Sequence, residues 1–383
     1  MNKDWRSGGF GLYVHWPFCE AKCPYCDFNS YVDSSVDTQI WEKSLISELD
    51  RNAKHTKGRL LNSIFFGGGT PSLMPASLVE KLISRAFEHW TPANDIEITL
   101  EANPSSVEAN KFLGFKTAGV NRISIGIQAL NDSDLKKLGR LHSVDDAMRA
   151  LEVANHNFNR VSFDLIYGRQ NQSLPSWSSE LKKALSLHSG HLSLYQLTIE
   201  PGTAFGYRAK AGKLSGMPNE DLSADMFEFT NTTCNAEGLN SYEISNFSSE
   251  GLESKHNLIY WMGGDYIGIG PGAHGRITVG DKRFATKTIL APSAWLSGVH
   301  LKSNGELSHE VLSKKDHANE LIMMGLRLKT GVSRSRIETV AGKKFNLPAD
   351  LIELGLLETS DDFIRATVSG RALLNQLIQK LMF

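Results

Sequence analysis

The sequence predicts an α/β protein built on a parallel sheet and followed by a smaller helical domain. Short apolar, β-branched segments recur along residues 1–205, and helical patterns lie between them. Strands that alternate with helices form right-handed βαβ units, and such units build parallel sheets. An open doubly wound sheet and a barrel-like curved sheet both satisfy this pattern. The predicted strands span residues 11–15, 63–66, 96–100, 122–127, 161–166 and 192–197.

The helical segments complete a division of the chain into three parts. We predict a core at residues 1–205, a central extension at 206–300 and a C-terminal domain at 301–383. The core helices are predicted at residues 36–53, 76–90, 106–118, 144–157 and 177–187. The extension has a predicted helix at 221–235 and a glycine-rich stretch at 266–275, and a Pro/Ser/Gly-bearing segment at 291–305 looks like a boundary. The tail is predicted to form helices at 316–328, 334–341 and 349–353 and a hairpin at 356–367, the order of a winged-helix module.

Composition limits the classes of protein to consider. The 383 residues carry a net charge of -1, with 41% hydrophobic and 22% charged residues, which is ordinary for a soluble globular protein. This charge gives no general attraction to nucleic acid, and no apolar run approaches the roughly 20 residues that span a bilayer. Three of the four cysteines are clustered, which favours a reducing compartment over a disulfide framework. We therefore expect a cytoplasmic protein that binds no nucleic acid and is not integral to a membrane.

Three cysteines follow the first predicted strand. Cys19, Cys23 and Cys26 have the spacing C-x3-C-x2-C. Zinc sites close with four ligands and iron–sulfur clusters usually take four cysteines, so three thiolates leave one position open. The favoured interpretation is a cubane cluster with one iron free to bind a small molecule; three buried cysteines and an incomplete zinc site are the alternatives. Cys234 lies alone on a predicted helix and is expected to be a small buried apolar residue.

Most of the other candidate site residues lie at the carboxyl ends of the predicted strands, where ligands bind in parallel α/β architectures. Glycines there let the backbone approach a ligand closely, although a tight turn explains the glycine run equally well. Carboxylates suit ribose hydroxyls or an ammonium group, and a guanidinium suits a carboxylate, as a nucleoside with an amino-acid tail requires. Taken singly, each charged residue is as readily a helix cap or a salt-bridge partner. These candidates are Gly67, Gly68, Gly69, Thr70, Glu101, Gln128, Arg140, Asp164 and Thr198.

A second unusual cluster is the stretch from His256 to Trp261. If the stretch is helical, His256 and Tyr260 share one face at a spacing of four residues, with Trp261 adjacent. A histidine beside two large aromatic rings suits an axial haem ligand. A satisfied histidine in an aromatic core is the alternative. The basic residues of the tail are offset by acidic ones, which favours a packing or partner module over DNA binding.

With these motifs assembled, the chain resembles the radical S-adenosylmethionine (SAM) proteins, specifically the haem chaperone branch of the oxygen-independent coproporphyrinogen III oxidase-like family. The similar stretches are residues 13–29, 66–72, 100–104, 120–128, 138–142, 164–168, 195–202, 242–247, 256–261 and 268–275. One local departure is the segment 169–172, which reads Arg-Gln-Asn-Gln instead of Leu-Pro-Gly-Gln.

The resemblance implies a partial (β/α)6 barrel with a [4Fe–4S] cluster on Cys19, Cys23 and Cys26, and SAM on the fourth iron. It also implies that His256 binds haem iron, with Asn257, Tyr260 and Trp261 beside it. The residues that would line the SAM pocket are Tyr13, Tyr25, Gly68, Gly69, Thr70, Glu101, Gln128, Arg140, Asp164 and Thr198.

Two features favour a chaperone over an oxidase. Phe28 stands at the position where the similar oxidases have a fourth cysteine. The motif begins near Tyr13, whereas the oxidases have a longer preceding segment. The expected function is haem binding and delivery to target haem proteins, such as respiratory enzymes at the membrane. An anaerobic coproporphyrinogen III oxidase is the alternative, and a redox-sensing winged-helix regulator is a distant third.

Overall fold

Strands supply the central layer of the molecule. The computed structural model describes residues 4–33, 35–104 and 109–383. The strands are β1 Phe10–Trp16, β2 Phe18–Cys19, β3 Tyr31–Val32, β4 Leu60–Gly68, β5 Thr91–Ala102, β6 Arg122–Gln128, β7 Arg160–Tyr167, β8 His191–Gln196, β9 Asn240–Ser241, β10 Asn246–Ser248, β11 Asp265–Ile269, β12 His274–Val279, β13 Lys282–Thr288, β14 Glu306–Val311, β15 Val332–Ser333, β16 Leu357–Ser360 and β17 Phe363–Ala366.

The helices lie mostly between consecutive strands. They are α1 Thr38–Ala53, α2 Ala76–His89, α3 Ala109–Thr117, α4 Asp132–Lys137, α5 Val144–Asn157, α6 Leu174–Leu187, α7 Ala204–Lys210, α8 Glu220–Ala236, α9 Lys255–Trp261, α10 Pro292–Lys302, α11 Lys314–Gly325, α12 Arg334–Ala341, α13 Ala349–Glu353, α14 Val368–Ala372 and α15 Leu374–Leu381.

Local sequence sets the helix ends. Ser143 and Asp146 form a reciprocal capping box at the start of α5, and the Asp37 carboxylate caps α1. The first residues of the helix predicted at 106–118 lie outside the described residues. Short helix α4 was not predicted, because its six residues are too few to show a periodic pattern.

One large open sheet organises the chain, and all six predicted strands belong to it. Its order is β14-β13-β12-β11-β1-β4-β5-β6-β7-β8-β10-β9, and the seven strands from β11 to β8 pair in parallel. The pairs β11–β12 and β8–β10 are antiparallel, so antiparallel strands flank the parallel part on both sides. The α/β class with a parallel sheet is therefore confirmed, although strand β11 was not predicted.

The C-terminal part forms a second, smaller unit with its own core. Strands β15, β17 and β16 lie in that order beside α11, α12 and α13, so the winged-helix-like arrangement is confirmed. Buried residues from Ala318 to Leu381 make a separate hydrophobic cluster. The segment 291–305 contains α10, whose Trp295 stacks on Trp41 of the main body with ring centroids 5.3 Å apart. Strand β14 still pairs with β13, so the division at residue 301 stays a proposal.

The segment 169–172, which departs from the family pattern, is anchored by ion pairs of Arg169. Arg169 is buried and its guanidinium bonds Asp134 of α4 at 2.9 Å and Glu180 of α6. Gln172 accepts a hydrogen bond from the Arg169 backbone amide at 3.1 Å. The loop after β7 is thus anchored to two helices, and this leaves Asp164 of β7 in its place on the sheet.

Candidate functional site

A cavity of about 360 Å³ opens at the carboxyl ends of the parallel strands. Residues from the cysteine loop, the glycine loop and the ends of β5, β6, β7 and β8 surround it. Strand geometry explains this gathering, because parallel strands that start side by side also end side by side. Twelve residues singled out from the sequence line the cavity: Cys19, Cys23, Tyr25, Cys26, Gly68, Gly69, Thr70, Glu101, Gln128, Arg140, Asp164 and Thr198.

The cysteine loop forms one wall of this cavity. Cys19, Cys23 and Cys26 are all free thiols and partly buried. A turn closes the loop, with the Cys26 amide donating to the Cys23 carbonyl at 3.1 Å. Burial raises the pKa of the Cys19 and Cys26 thiols, because a thiolate loses hydration there. Within the part of the chain that the structure describes, no three His, Cys, Asp or Glu side chains are grouped for a metal ion.

Two glycines let the second loop lie against the first. The Gly69 amide donates to the Trp16 carbonyl at 2.7 Å, and a Cβ at Gly69 would lie 2.7 Å from the Phe18 carbonyl oxygen and 3.0 Å from the Cys19 sulfur. Gly68 has a φ of +113°, which side chains rarely adopt, and its amide donates to a Glu101 carboxylate oxygen at 3.3 Å. No larger residue fits at Gly69 without displacing the cysteine loop.

Two partly buried carboxyl groups, those of Glu101 and Asp164, also line the cavity. Burial raises the pKa of Glu101 to about 8, and the nearby Asp164 charge adds to the effect. Burial also raises the pKa of Asp164 to about 6, although the hydroxyls of Ser193 and Ser124 favour its charged form. At neutral pH this pair therefore holds a proton, which a cationic ligand would displace.

Gln128 and Arg140 complete the polar lining. Gln128 ends β6 at a φ of +77°, and its buried Oε1 has no hydrogen-bond partner among the described residues. Arg140 donates to the Cys23 sulfur at 3.4 Å and to the Gly126 carbonyl at 2.8 Å. Burial works against its charge, but the neighbouring Tyr25 and Cys23 raise its pKa. A strained backbone and an unpaired amide oxygen indicate a position prepared for a polar ligand.

This lining fits a thiolate-bound cluster and a zwitterionic nucleoside. The three cysteines line the cavity with Arg140 beside Cys23, and two carboxyl groups and an unpaired amide oxygen line it as well. Such groups match the ammonium and carboxylate of an amino-acid tail.

Tyr13 and the histidine motif lie elsewhere. The Tyr13 hydroxyl lies 3.0 Å from His15 Nδ1 and its ring stacks on His256, and Tyr13 does not line the cavity. His256 is 1% exposed, its Nδ1 lies 2.7 Å from the Ser63 hydroxyl, and its Nε2 lies 2.6 Å from the Tyr260 hydroxyl. Phe65 stacks on the same ring with centroids 5.0 Å apart. The structure thus gives His256 the placement of the alternative that the sequence left open, a satisfied core histidine.

Neither ring nitrogen of His256 is free in this conformation. Burial lowers its pKa to about 3, so the ring is neutral. An iron atom would have to displace Ser63 or Tyr260. Asn257, Tyr260 and Trp261 share helix α9 with it and are partly buried.

Sequence reasoning missed several cavity residues. Ser124 and Gly126 precede Gln128 at intervals of two, so the alternation of a strand places all three on one face. That periodicity was a usable signal. Asn103 and Tyr195 also line the cavity, at the ends of β5 and β8.

Comparisons with known proteins show the family of this chain. Residues 13–174 match the Radical SAM superfamily and residues 312–373 match the HemN C-terminal domain. The heme chaperone HemW of Escherichia coli is 37% identical over 376 residues, which cover 96% of this chain and 97% of that protein. A mouse protein, radical S-adenosyl methionine domain-containing protein 1, mitochondrial, is 39% identical over 97% of this chain and 87% of its own length. The solved structure of coproporphyrinogen III oxidase (HemN) from Escherichia coli superposes with a TM-score of 0.81 at 22% identity, covering 98% of this chain and 90% of that one.

The sheet, the cysteine loop and the matched domains define a radical SAM protein. Such proteins carry a [4Fe–4S] cluster and SAM as a class. More narrowly, the chain belongs to the oxygen-independent coproporphyrinogen III oxidase-like family, in its HemW branch. The family resemblance read from the sequence is thereby confirmed. Across the described residues, no helix has the length and apolar character needed to cross a membrane.

Proposed function

We propose that this protein is a haem chaperone, which binds haem and delivers it to target haem proteins, respiratory enzymes at the membrane among them. The observation that carries the proposal is the extent of the likeness to HemW proteins, at 34–37% identity over almost the whole of both chains. The likeness to the oxidase structure, at 22% identity, extends to the fold alone. We also propose a cytoplasmic location, which free thiols support.

The cavity would hold the two cofactors of this class. Cys19, Cys23 and Cys26 would ligate the cluster, and Glu101, Asp164 and Arg140 would bind the charged tail of SAM. When bound, a reduced cluster supplies single electrons. Of the chain's own residues, Glu101 and Asp164 hold a proton between them. Gly69 lets the glycine loop lie against the cysteine loop, where a larger side chain would not fit.

Phe28 supports the chaperone over the oxidase. It lines the cavity where the oxidases have a further cysteine, and its side chain is 60% exposed. An exposed apolar ring cannot replace a thiolate ligand. The axial role of His256 stays a prediction, and the chaperone proposal does not depend on it.

Anaerobic reconstitution with iron and sulfide, followed by titration with haem, tests the proposal. We expect a saturable Soret shift at one haem per chain, and transfer of that haem to an apo-haem protein. Incubation of the reduced protein with SAM and coproporphyrinogen III should give no product. Absence of haem binding would overturn the chaperone function, and product formation would make the protein an oxidase.

A further inference from the structure

A second, larger cavity of about 1130 Å³ lies between helix α8 and the C-terminal domain. We call it the α8 groove. Phe227 and Ile244 lie on one side of it, and Val368 and Leu373 on the other. Val368 is 83% exposed and Leu373 is 41% exposed. Its volume suits a large ligand, and these four side chains offer apolar contacts to the two faces of a planar one.

Three cations surround this groove without a carboxylate partner. Within the described chain, no carboxylate oxygen lies within 4.0 Å of Arg327, Lys329 or Arg371. Arg371 donates to the Glu243 backbone carbonyl at 2.8 Å, and its buried Nε has no hydrogen-bond partner. Lys329 reaches only the Asn240 side chain, at 3.3 Å. The Glu243 carboxylate acts on Arg327 and Arg371 from beyond 4.0 Å, and its oxygens already bond Asn246 and two backbone amides. Burial disfavours the charge of both arginines, so a bound anionic group would stabilise it further.

The acidic residues of the groove do not cancel these charges. Glu358 is paired with Arg365 at 2.6 Å, on the rim. Glu220 and Glu228 lie on α8, the wall opposite the C-terminal domain. The groove therefore has a mixed lining, with apolar side chains on both walls and positive charge on the side of the C-terminal domain.

We propose that the α8 groove is the haem-binding site, with the two propionates bound by Arg327, Lys329 and Arg371 and the tetrapyrrole against the apolar walls; this rests on the proposed chaperone function. Haem is a flat apolar ring with two carboxylates on one edge, and the charge pattern of the groove is complementary to it. The residues described along the groove include no His, Cys, Met or Tyr. The iron thus gains no strong protein ligand there, which suits a carrier that must give haem up.

The groove also adjoins the cofactor cavity. Gln196, the last residue of β8, lines both of them. A haem in the groove would therefore lie next to the cluster and SAM site, not at the buried ring of His256.

Equilibrium titration of the reconstituted full chain tests this site. The variants are Lys329→Gln combined with Arg371→Gln, and His256→Ala; the control is Arg149→Gln, an exposed arginine on α5 far along the sequence from the groove. The probes are haem, metal-free protoporphyrin IX and haem dimethyl ester. Arg371→Lys keeps the charge and checks that loss of binding is not loss of fold.

Loss of two carboxylate–cation contacts should weaken haem binding at least about tenfold. Haem dimethyl ester should bind the wild type about as weakly as haem binds the double variant. The affinity of the wild type for protoporphyrin IX, and the affinities of the control variant and of His256→Ala for haem, should stay within about threefold of wild-type haem binding. Haem binding that is unchanged in the double variant would overturn the groove while leaving the chaperone function intact. A wild type that binds no haem would overturn both, and displacement of haem by equimolar oleate would reassign the groove to an acidic lipid.

Discussion

The two cavity carboxyls make ligand binding depend on pH. Glu101 has a pKa of about 8 and Asp164 of about 6, and a ligand with ammonium and sulfonium charges requires their ionised forms. Binding must therefore release protons below pH 8. We expect the Kd of SAM to fall by up to about tenfold per pH unit as the pH rises from 6 to 8. Calorimetric titration of reconstituted protein across this range measures it.

The variant Glu101→Gln isolates this effect. It should flatten the pH dependence near pH 8 and weaken SAM binding above it, while Glu80→Gln, an exposed glutamate on α2, should change neither. The same pKa has a consequence for folding. Because the folded value of about 8 exceeds the ordinary 4.5, the ligand-free fold loses stability as the pH rises between these values, and the variant should lose less. A SAM affinity that does not change with pH would contradict the proton on this pair.

A single methyl group at Gly69 should prevent cluster assembly. The added Cβ would stand 2.7 Å from the Phe18 carbonyl and 3.0 Å from the Cys19 sulfur, so the cysteine loop must move. We expect Gly69→Ala to cost about 1–3 kcal/mol of stability and to retain little iron and sulfide after reconstitution. The control is Gly114→Ala on α3, where the added Cβ meets only the Ala76 methyl at 3.2 Å. Equal iron content in both variants would show that the close contact is not needed.

Helix α9 places the His256 ring in the core, where the ring contributes to stability. The His256 ring is 1% exposed, stacks on Phe65 and has both nitrogens hydrogen-bonded to hydroxyls. His256→Ala should lower the free energy of unfolding by about 2–4 kcal/mol, because it removes packing and leaves two buried hydroxyls unpaired. The exposed His300→Ala should cost less than about 0.5 kcal/mol. Chemical denaturation of the two variants measures the difference.

The opposite result would support the prediction that His256 is an axial haem ligand. A His256→Ala protein that unfolds like the wild type but loses its Soret band would mean that the ring leaves its pocket to bind iron.

Elements with a strong periodic pattern were predictable from the sequence, and those without one were not. The six parallel strands alternate with amphipathic helices, so their positions followed from periodicity alone. Strand β11 was not predicted, because glycine weakens any strand pattern. Gly268 is required in that strand, since a Cβ would lie 2.1 Å from the His274 carbonyl oxygen. His256 shows the other limit, because its spacing to Tyr260 is the same in a core as in a haem site.

At the scale of the whole molecule, the two cavities differ in how far the sequence predicts their lining residues. The cofactor cavity is built from strand ends, whose positions follow from the fold class, so its lining could be predicted residue by residue. The α8 groove joins residues 220–244 to residues 327–376, and neither segment is unusual alone. Only the docking of the C-terminal domain on the main body forms the groove between these two segments.

One contact between the C-terminal domain and the main body can be removed by a single variant. Arg336 of α12 binds the Asp4 carboxylate at 2.6 and 2.9 Å and donates to the Met262 carbonyl at 2.6 Å. Arg334, two residues earlier, instead pairs with Glu338 on its own helix and is half exposed. Arg336→Ala should therefore cost about 2 kcal/mol and loosen the domain, whereas Arg334→Ala should cost little.

Limited proteolysis and haem titration report this loosening together. Arg336→Ala should be cut faster at residues 312–313, which join β14 of the large sheet to α11. Haem affinity should fall in the same variant, because one wall of the α8 groove belongs to the domain that moves. If cutting accelerates while haem affinity matches that of Arg334→Ala, haem binds to the main body alone, since only a site shared by both domains requires their relative position to be fixed.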